Sequence, residues 1–307
     1  MLNTTGIGFI WSFSHAQRGY NLFEAMWIGV LLPRESHLLI VVILSQFFDE
    51  SGYVVLEEIF DVRDKVVIVT GASSGIGVRF ATLLDALGAK VVVAARREER
   101  IVDLAKSFKD SLAVRCDVTV DDDLNGLVEK TLERYGRIDI CINNAGVADP
   151  MPALEESPDH FRMVVETNLT SVFTLSRLVA REAIARDQSA AIVNVASVLG
   201  TIASNSIPQA SYAASKAGVV NLTRELALQW AKSKVRVNAI APGWFPSEMT
   251  TVMFESERAQ NWMARVTPMG RGGRIEELDG VMLLLATDAG SYLTGQTIVV
   301  DGGWTIY

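Results

Sequence analysis

The sequence predicts an α/β fold, a single domain with a doubly wound parallel sheet flanked by helices. Short β-branched runs alternate with longer helical stretches from about residue 55 to the C-terminus. That alternation is typical of a parallel sheet, because each parallel strand needs a crossover connection. A glycine-rich turn follows the first strand, and polar residues follow most of the later ones. These residues predict a ligand site at the carboxyl edge of the sheet.

Size, charge and cysteine content bound the function. The chain has 307 residues, enough for one large α/β domain, and 49% of them are apolar, enough for a large core. The formal net charge of −8 argues against nucleic acid or an anionic membrane surface as the main partner. Cys116 and Cys141 each fall in a strand-like run, so we expect two buried thiols in a cytoplasmic protein. No cysteine and histidine cluster has metal-ligand spacing, so we predict no metal.

The first 54 residues differ from the rest and show no clear helix or strand period. Their longest apolar stretch, residues 38–44, is too short for a membrane span of about 20 residues. It also lacks the small-residue cleavage site of a secretory signal. Three interpretations stay open: an upstream extension foreign to the natural protein, which we favour, a peripheral membrane or partner-binding arm, and a targeting segment. We expect residues 55–307 to form the complete domain.

The first predicted strand covers residues 66–69, a β-branched run typical of a buried parallel strand. It leads into the turn from Thr70 to Gly77 (TGASSGIG) and a helix over about residues 76–87. Glycines allow close backbone approach, and the helix N-terminus offers unpaired N–H groups. The spacing differs from the commoner Gly-x-Gly-x-x-Gly, but the strand–turn–helix context indicates a dinucleotide phosphate site. An ordinary turn that contains glycines is the alternative.

The second predicted strand, residues 90–95, ends at Ala95 and is followed by Arg96 and Arg97. An acid at this point would bind the adenosine ribose, whereas an arginine accommodates a 2′-phosphate. The arginines therefore predict that NADP(H) is preferred over NAD(H). A solvated charge cluster at the start of a helix is the alternative.

The third and fourth predicted strands, residues 113–116 and 138–142, also end in polar residues. The third leads to Asp117 and Val118, and the carboxylate could meet the adenine or cap the next helix. The fourth leads to residues 143–146 (NNAG), which suit a turn that lines a ligand crevice. Simple loop residues are the alternative there.

The second half of the chain contains the candidate catalytic residues. Residues 161–186 predict one long helix with Asn168 in its middle, where an asparagine is unfavourable unless its side chain has a function. The fifth strand, residues 191–196, places Ser197 at its carboxyl end. Two further strands, residues 235–240 and 297–300, complete the sheet.

Tyr212 and Lys216 are four residues apart in an Ala-rich segment, so their side chains share one helix face. An ammonium beside a phenol lowers the pKa of the phenol, which can then exchange a proton with a substrate near neutral pH. Alone, such a pair is more often an ordinary helix contact. Apolar residues of this helix cover more than one stripe, which predicts a homo-oligomer, either a tetramer or a dimer.

From about residue 55 to residue 304 the chain resembles the classical short-chain dehydrogenase/reductase family, which has a Rossmann-type fold. The matching pieces are residues 70–77, Asp117, residues 143–146, Asn168, Ser197, Tyr212, Lys216, Pro242 and Gly243. The N-terminal extension departs from the family pattern. The order and spacing of these pieces favour a proton-donor role for Tyr212.

The resemblance implies a role for each matching residue. Tyr212 would be the general acid in carbonyl reduction and the base in alcohol oxidation. Lys216 would lower its pKa and bind the nicotinamide ribose, and Ser197 would hydrogen-bond the substrate oxygen where charge develops. Asn168 would hold a water in a proton relay toward Lys216. The implied cofactor-binding residues are Gly71, Ser73, Ser74, Gly75, Ile76, Gly77, Arg96, Arg97, Asp117, Val118, Asn143, Asn144, Ala145, Gly146, Tyr212, Lys216, Pro242 and Gly243.

The predicted function is NADP(H)-dependent interconversion of a ketone or aldehyde and a secondary alcohol, with a small-molecule substrate. Substrate choice would depend on residues 198–209 and 244–274. The second segment is apolar and Met-rich, and predicts either a mobile lid or a helical pair packed on the core. A 3-oxoacyl-thioester reductase and a sugar or polyol dehydrogenase are alternatives within the family. A cofactor-sensing protein without catalysis would lack part of the Ser/Tyr/Lys set, and a membrane-anchored enzyme would use residues 1–54.

Overall fold

The computed structural model describes residues 56–203 and 207–306, so the predictions for residues 1–54 lie outside the described part. The strands are β1 Val66–Thr70, β2 Lys90–Ala95, β3 Ser111–Arg115, β4 Ile140–Asn143, β5 Ala190–Val195, β6 Val235–Pro242 and β7 Thr297–Val300. The α-helices are α1 Leu56–Ile59, α2 Gly75–Ala86, α3 Glu98–Lys106, α4 Asp121–Tyr135, α5 Pro158–Val165, α6 Ser171–Ala185, α7 Ala210–Trp230, α8 Thr251–Glu255, α9 Glu257–Val266 and α10 Asp279–Ala286.

The strands form one sheet in the order β3-β2-β1-β4-β5-β6-β7, and every neighbouring pair is parallel. The chain runs outward in one direction from β1 to β3 and in the other from β4 to β7. The direction changes between β1 and β4, whose pairing includes Val67 opposite Ile140. A crevice opens at such a switch point, outside the carboxyl ends of the strands. The predicted α/β class and doubly wound Rossmann-type sheet are therefore confirmed.

Helices cover both faces of the sheet, which explains why its strands are continuous apolar runs. All five residues of β1 are buried, and they alternate between two cores. On one side Val67 belongs to a cluster with Phe80 of α2 and Met282 of α10. On the other side Ile68 belongs to a cluster with Leu127 of α4 and Leu178 of α6. The two cores hold the sheet in place, and with it the carboxyl edge where the polar residues that follow the strands lie.

The predicted single helix over residues 161–186 is two helices, α5 and α6, joined by a π-helical turn at Glu166–Thr170. Asn168 lies within that turn and is fully buried. Single π-helical turns often occur at functional sites. The side chain of Asn168 is bonded outside its own helix, so the local departure from α geometry coincides with a tertiary contact.

The segment after β6 contains a pair of short helices, α8 and α9, as one of the two interpretations predicted. Phe245 and Met263, both in this segment, are buried. Three tryptophan rings, Trp244, Trp262 and Trp304, pack with centroids 5.3 to 6.2 Å apart. The apolar residues of this segment therefore serve packing to a large extent.

Both cysteines are free and buried, as predicted. Burial raises the pKa of each thiol to about 12. For Cys116 the neighbouring carboxylate of Asp123 adds to that rise. In residues 56–203 and 207–306, no helix is both long and apolar enough to cross a membrane.

Candidate active site

The glycine turn between β1 and α2 can be built only from glycine at its key positions. Gly71 and Gly75 have φ of 66° and 56°, in the left-handed region where other residues are strained. A Cβ on Gly77 would lie 2.5 Å from the carbonyl oxygen of Gly71. The hydroxyl of Ser74, at the start of α2, makes no capping hydrogen bond to the helix. That side chain therefore leaves the first N–H groups of the helix available to an anion.

Residues after β4 hold the glycine turn in place. Asn144 donates through Nδ2 to the carbonyl oxygen of Thr70 at 3.0 Å. The backbone N–H groups of Asn144 and Ala145 each donate to Thr70 Oγ1 at 3.1 Å. The ends of β1 and β4 are thus joined at the switch point of the sheet.

Asn143 differs from its sequence prediction, because its side chain is not on the cofactor side. It is buried, and Nδ2 donates to Ser176 Oγ at 2.9 Å and to Asn194 Oδ1 at 2.8 Å. Asn194 in turn donates to Thr223 Oγ1 at 2.9 Å. These polar groups form a buried bridge between the sheet and helices α6 and α7, so Asn143 has a structural role.

The predicted arginines lie at the carboxyl end of β2. Arg97 donates from its guanidinium to Ser73 Oγ at 2.8 Å and Ser74 Oγ at 3.0 Å, in the glycine turn. Arg97 Nη1 also lies 2.9 Å from Glu248 Oε2, a contact that the sequence did not predict. Arg96 is exposed beside Asp117, and its positive charge helps to lower the pKa of that carboxyl group.

Asp117 does not cap the following helix, contrary to one of its two interpretations, because α4 begins at Asp121 after Val120 and has no side-chain cap. Its Oδ1 accepts from the N–H of Thr119 at 3.1 Å and from the hydroxyl of Thr119 at 2.8 Å. Burial would raise the pKa of Asp117, but these hydrogen bonds and the charges of Arg96 and Arg115 outweigh it and lower the pKa. The carboxyl group therefore stays ionised at the end of β3. Val118 beside it is partly buried, as is Ile76 in the first turn of α2.

Ser197, Tyr212 and Lys216 meet at the carboxyl end of β5. Ser197 follows the strand, and its hydroxyl is hydrogen-bonded to the side chain of Tyr212. Lys216 Nζ lies 5.7 Å from the centroid of the Tyr212 ring and donates to the carbonyl oxygen of Val195 at 2.7 Å. The four-residue spacing on α7 and the end of one buried strand thus bring a hydroxyl, a phenol and an amine together.

The pKa of the Tyr212 phenol is raised, contrary to the sequence prediction. Burial raises it, and the hydrogen bond from Ser197 offsets only part of the rise. Burial also lowers the pKa of Lys216 to about 8, and its amine is directed at the carbonyl of Val195. Burial, rather than the neighbouring amine, therefore sets the net direction of the phenol's pKa. A phenol with a raised pKa keeps its proton, which is the form that can act as an acid.

Asn168 fixes the loop beside this group. Its Oδ1 accepts from the N–H of Val147 at 2.8 Å, and its Nδ2 donates to the carbonyl oxygen of Val147 at 2.9 Å and to Ser215 Oγ at 3.1 Å. Ser215 Oγ donates to the carbonyl oxygen of Tyr212 at 2.7 Å. Gly146 lies close to Asn168 and Lys216, since a Cβ there would be 3.2 Å from Asn168 Oδ1 and 3.6 Å from Lys216 Nζ.

Known proteins resemble the chain over this whole site. Residues 71–305 match the family model described as Enoyl-(Acyl carrier protein) reductase. A 3-oxoacyl-[acyl-carrier-protein] reductase from Chlamydia pneumoniae is 38% identical over 78% of this chain and 97% of its own length. A gluconate 5-dehydrogenase from Gluconobacter oxydans is 37% identical over 81% of this chain and 98% of its own length.

Solved structures agree with the fold. A short-chain dehydrogenase/reductase from Mycobacterium marinum is 34% identical, covers 81% of this chain and 98% of its own, and has a TM-score of 0.78. A gluconate 5-dehydrogenase from Burkholderia cenocepacia, in complex with NADP and tartrate, is 32% identical, with coverage of 81% and 98% and a TM-score of 0.77. The chain belongs to the short-chain dehydrogenase/reductase family. It is an NAD(P)-dependent oxidoreductase that acts on CH–OH or carbonyl groups.

The residues of this dehydrogenase fit the dinucleotide that its family uses. A Cβ at Gly71 or Gly77 would fill the turn to within 2.8 Å or less of neighbouring atoms. The first residue of the loop after β6 is packed just as closely, since a Cβ on Gly243 would lie 2.8 Å from the Cβ of Asp301. Gly243 follows Pro242 and donates its N–H to the carbonyl oxygen of Val300 at 2.9 Å. The glycines therefore let the glycine turn pack against the loop after β4, and the loop after β6 against the end of β7, which fixes the backbone where the family's dinucleotide would bind.

Two further residues of the site were missed by sequence reasoning. Glu156 accepts hydrogen bonds from the hydroxyl and the N–H of Ser211, in the first turn of α7, and these bonds lower the pKa of its carboxyl group. His160 Nδ1 lies 2.9 Å from Glu156 Oε1. A carboxylate at a helix N-terminus stabilises that end of the helix. Glu156 therefore helps to position Tyr212, although it is distant from it in sequence. Glu248 is the second missed residue.

Proposed function

We propose that this dehydrogenase uses NADP(H) to interconvert a ketone or aldehyde and a secondary alcohol, with Tyr212 as general acid and base. The observation that carries the proposal is the grouping of Tyr212 with Ser197 and Lys216 at the carboxyl end of β5. This group lies on the same sheet edge as the glycine turn. The site thus combines a protonated phenol with a dinucleotide cradle.

In the reducing direction, the carbonyl oxygen accepts the hydrogen bonds of Ser197 and Tyr212, and the phenol proton moves to that oxygen as its charge develops. The bound nicotinamide supplies the hydride that the carbonyl carbon receives. Lys216 provides a positive charge near the phenolate that remains, and binds the nicotinamide ribose. Asn168 holds the Val147 loop and belongs to the proton relay toward Lys216. Alcohol oxidation reverses each step.

The preference for NADP(H) is supported by Arg96 and Arg97. Arg97 is hydrogen-bonded to both serines of the glycine turn, and this contact supports a role for its guanidinium at the adenosine end of the cofactor. At the end of β2, where an acid would bind the ribose hydroxyls, the chain has Ala95 and the exposed Arg96 instead. Two similar structures contain NADP, and a similar polyketide ketoreductase contains NADPH.

For the substrate we propose a small carbonyl or alcohol with a hydrophobic portion. Met249 and Val252, in the segment that follows the carboxyl end of β6, are 54% and 75% exposed and could contact an apolar part of the substrate. The names of the relatives point to two other classes, a 3-oxoacyl group on a carrier protein and a sugar acid. No dense basic surface for an acidic carrier is evident from the sequence, so the acyl-thioester class ranks second.

The test is a panel of ketones, sugar acids and 3-oxoacyl thioesters, scored by consumption of NADPH and of NADH. We expect turnover with hydrophobic ketones and faster reaction with NADPH. Turnover of only sugar acids, or a preference for NADH, would replace the corresponding part of the proposal.

We also propose a homo-oligomer, a dimer or a tetramer, formed through α6 and α7. Phe173 and Ile184 of α6 are each 41% exposed, and Leu228 of α7 is 79% exposed. Exposed large apolar groups on neighbouring helices often mark a subunit interface. Light scattering should give a mass of two or four chains, and Leu228→Glu should lower it. A monomeric wild type would reject this proposal.

Residues 55–307 are proposed to contain the whole enzyme, in the cytoplasm. The curated relatives are matched over 97 to 98% of their own length by 78 to 81% of this chain. Two buried free thiols fit a reducing compartment. A chain that starts at Val55 should fold and retain full activity, and loss of folding would show that the first residues are needed.

A further inference from the structure

Glu248 is a carboxylate placed between two arginines at the adenosine end of the site. Its Oε2 lies 2.9 Å from Arg97 Nη1, and its Oε1 lies 2.5 Å from Arg100 Nη1. The hydrogen bonds from Arg100 and Arg97, together with one from Ser74, lower the pKa of Glu248. Glu248 is therefore an anion held by two guanidinium groups and a hydroxyl.

Arg97 connects this anion to the glycine turn. The same guanidinium that binds Glu248 also donates to Ser73 Oγ and Ser74 Oγ. An arginine fork matches a carboxylate and a phosphate equally well in geometry. The donors that hold Glu248 are thus suited to a phosphate at the same place.

Glu248 reaches this place because its segment lies against the glycine turn. A Cβ on Gly75 would be 3.2 Å from the Cβ of Ser247, the residue before Glu248. Thr250 ties the segment into a turn of its own, since its hydroxyl donates to the carbonyl oxygen of Phe245 at 2.6 Å and accepts from the N–H of Ser247 at 2.9 Å. The carboxylate is therefore presented by a segment that also leads into α8 and the predicted substrate region.

We propose that Glu248 is an internal competitor of the cofactor's 2′-phosphate and thereby sets the strength of NADP(H) selection. The carboxylate forms an ion pair with the guanidinium of Arg97 when no phosphate is present. The 2′-phosphate of NADP(H) must displace the Glu248 carboxylate from Arg97. NAD(H) has no such phosphate and binds without displacing it. This inference rests on the proposed preference for NADP(H).

The contacts are weak enough to be exchanged. The side chains of Arg97, Arg100 and Glu248 are 42%, 54% and 50% exposed. Ion pairs as exposed as these contribute little, because water and salt screen them. A dianionic phosphate carries more charge than a carboxylate and can displace it. The competition therefore reduces the affinity for the phosphate without blocking the site.

The test measures binding of 2′,5′-ADP and of 5′-AMP by isothermal titration calorimetry to the full chain and to Glu248→Gln. We expect Glu248→Gln to bind 2′,5′-ADP about three- to fivefold more tightly and 5′-AMP within about twofold of wild type, from the usual strength of exposed pairs. Glu255→Gln is the matched control, because it removes the same charge from the same segment at an exposed position. It should leave both affinities unchanged.

The outcomes separate this inference from the proposed function. If wild type binds 2′,5′-ADP more tightly than 5′-AMP but Glu248→Gln leaves that ratio unchanged or lowers it, the competition is rejected and the cofactor preference stands. If wild type does not discriminate between the two ligands, the preference itself is rejected, and the inference with it. A similar gain in Glu255→Gln would show a general charge effect and would also reject the competition.

Discussion

The two ends of the site lie on one sheet edge, yet they are built in opposite ways. At the catalytic end Asn168 and Lys216 are 0% and 4% exposed, and each polar side chain has a fixed hydrogen-bond partner. At the adenosine end, the charged side chains of Arg97 and Glu248 are about half exposed and pair across two segments of the chain. Burial makes single interactions strong and specific, whereas exposed charges are screened and can be exchanged.

This difference explains what each end can do. A reaction that moves one proton needs a phenol held in one position with a controlled pKa, which a buried network provides. Selection between two cofactors that differ by one phosphate needs only a moderate difference in affinity, which the exposed arginines would provide under the proposed preference for NADP(H). Substitutions should therefore have large effects on turnover at the buried end and smaller effects on cofactor choice at the exposed end.

Tyr212→Phe should have the largest effect. It removes the proton that the carbonyl oxygen receives in the proposed mechanism, and loss of a general acid typically lowers the rate by about 10²- to 10⁴-fold. The measurement is kcat with NADPH and the best carbonyl of the panel. Tyr135→Phe is the control, because Tyr135 is hydrogen-bonded to Asp110 and lies outside the site. A Tyr212→Phe enzyme within about tenfold of wild type would show that another group donates the proton.

Arg96→Asp should have the next largest effect. The new carboxylate repels a 2′-phosphate and can accept from a ribose hydroxyl, so the ratio of kcat/KM for NADPH to that for NADH should fall by roughly ten- to a hundredfold. Arg258→Asp, at an exposed position on α9, makes the same charge change and should leave the ratio unaltered. Equal ratios in wild type and Arg96→Asp would remove Arg96 from cofactor selection.

Lys216 should give the stability of the protein a measurable pH dependence. Its pKa is about 8 in the folded protein, against an ordinary value of 10.5. Between these values the unfolded chain binds more protons, so the free energy of unfolding rises with pH by about 1 kcal/mol per pH unit from this group. The pKa of nearby Tyr212 is raised above its ordinary value of 10.0, so the phenol titrates above pH 10.

Urea unfolding of wild type and Lys216→Met at intervals from pH 8 to pH 10 isolates this contribution. The difference in unfolding free energy, wild type minus variant, should rise with pH in this window. Parallel curves would mean that the folded-state pKa of Lys216 is not lowered.

Much of the fold was predictable because it depends on local patterns. Strands β1 and β2 form from β-branched runs that are visible in the sequence. The turn between β1 and α2 needs positive φ, which its glycines allow. The direction of the Tyr212 pKa was wrong, because the spacing of Tyr212 and Lys216 does not reveal how deeply both are buried. Asn143 was wrongly placed on the cofactor side, because the identity of a residue at a strand end does not show which face its side chain takes.

Other features need tertiary structure before they can be seen. Glu248 is 151 residues from Arg97, and no sequence period connects them. The π-helical turn at Asn168 depends on the backbone of Val147 and on Ser215, 47 residues further along the chain.

The most direct test of the account is the affinity of Tyr212→Phe for NADPH, measured by calorimetry without substrate. If chemistry belongs to the buried end and most of the cofactor selection to the exposed end, the Kd stays within about threefold of the wild-type value, even where turnover has fallen by orders of magnitude. A Kd that weakens in proportion to the lost turnover would contradict the division of the site into these two ends.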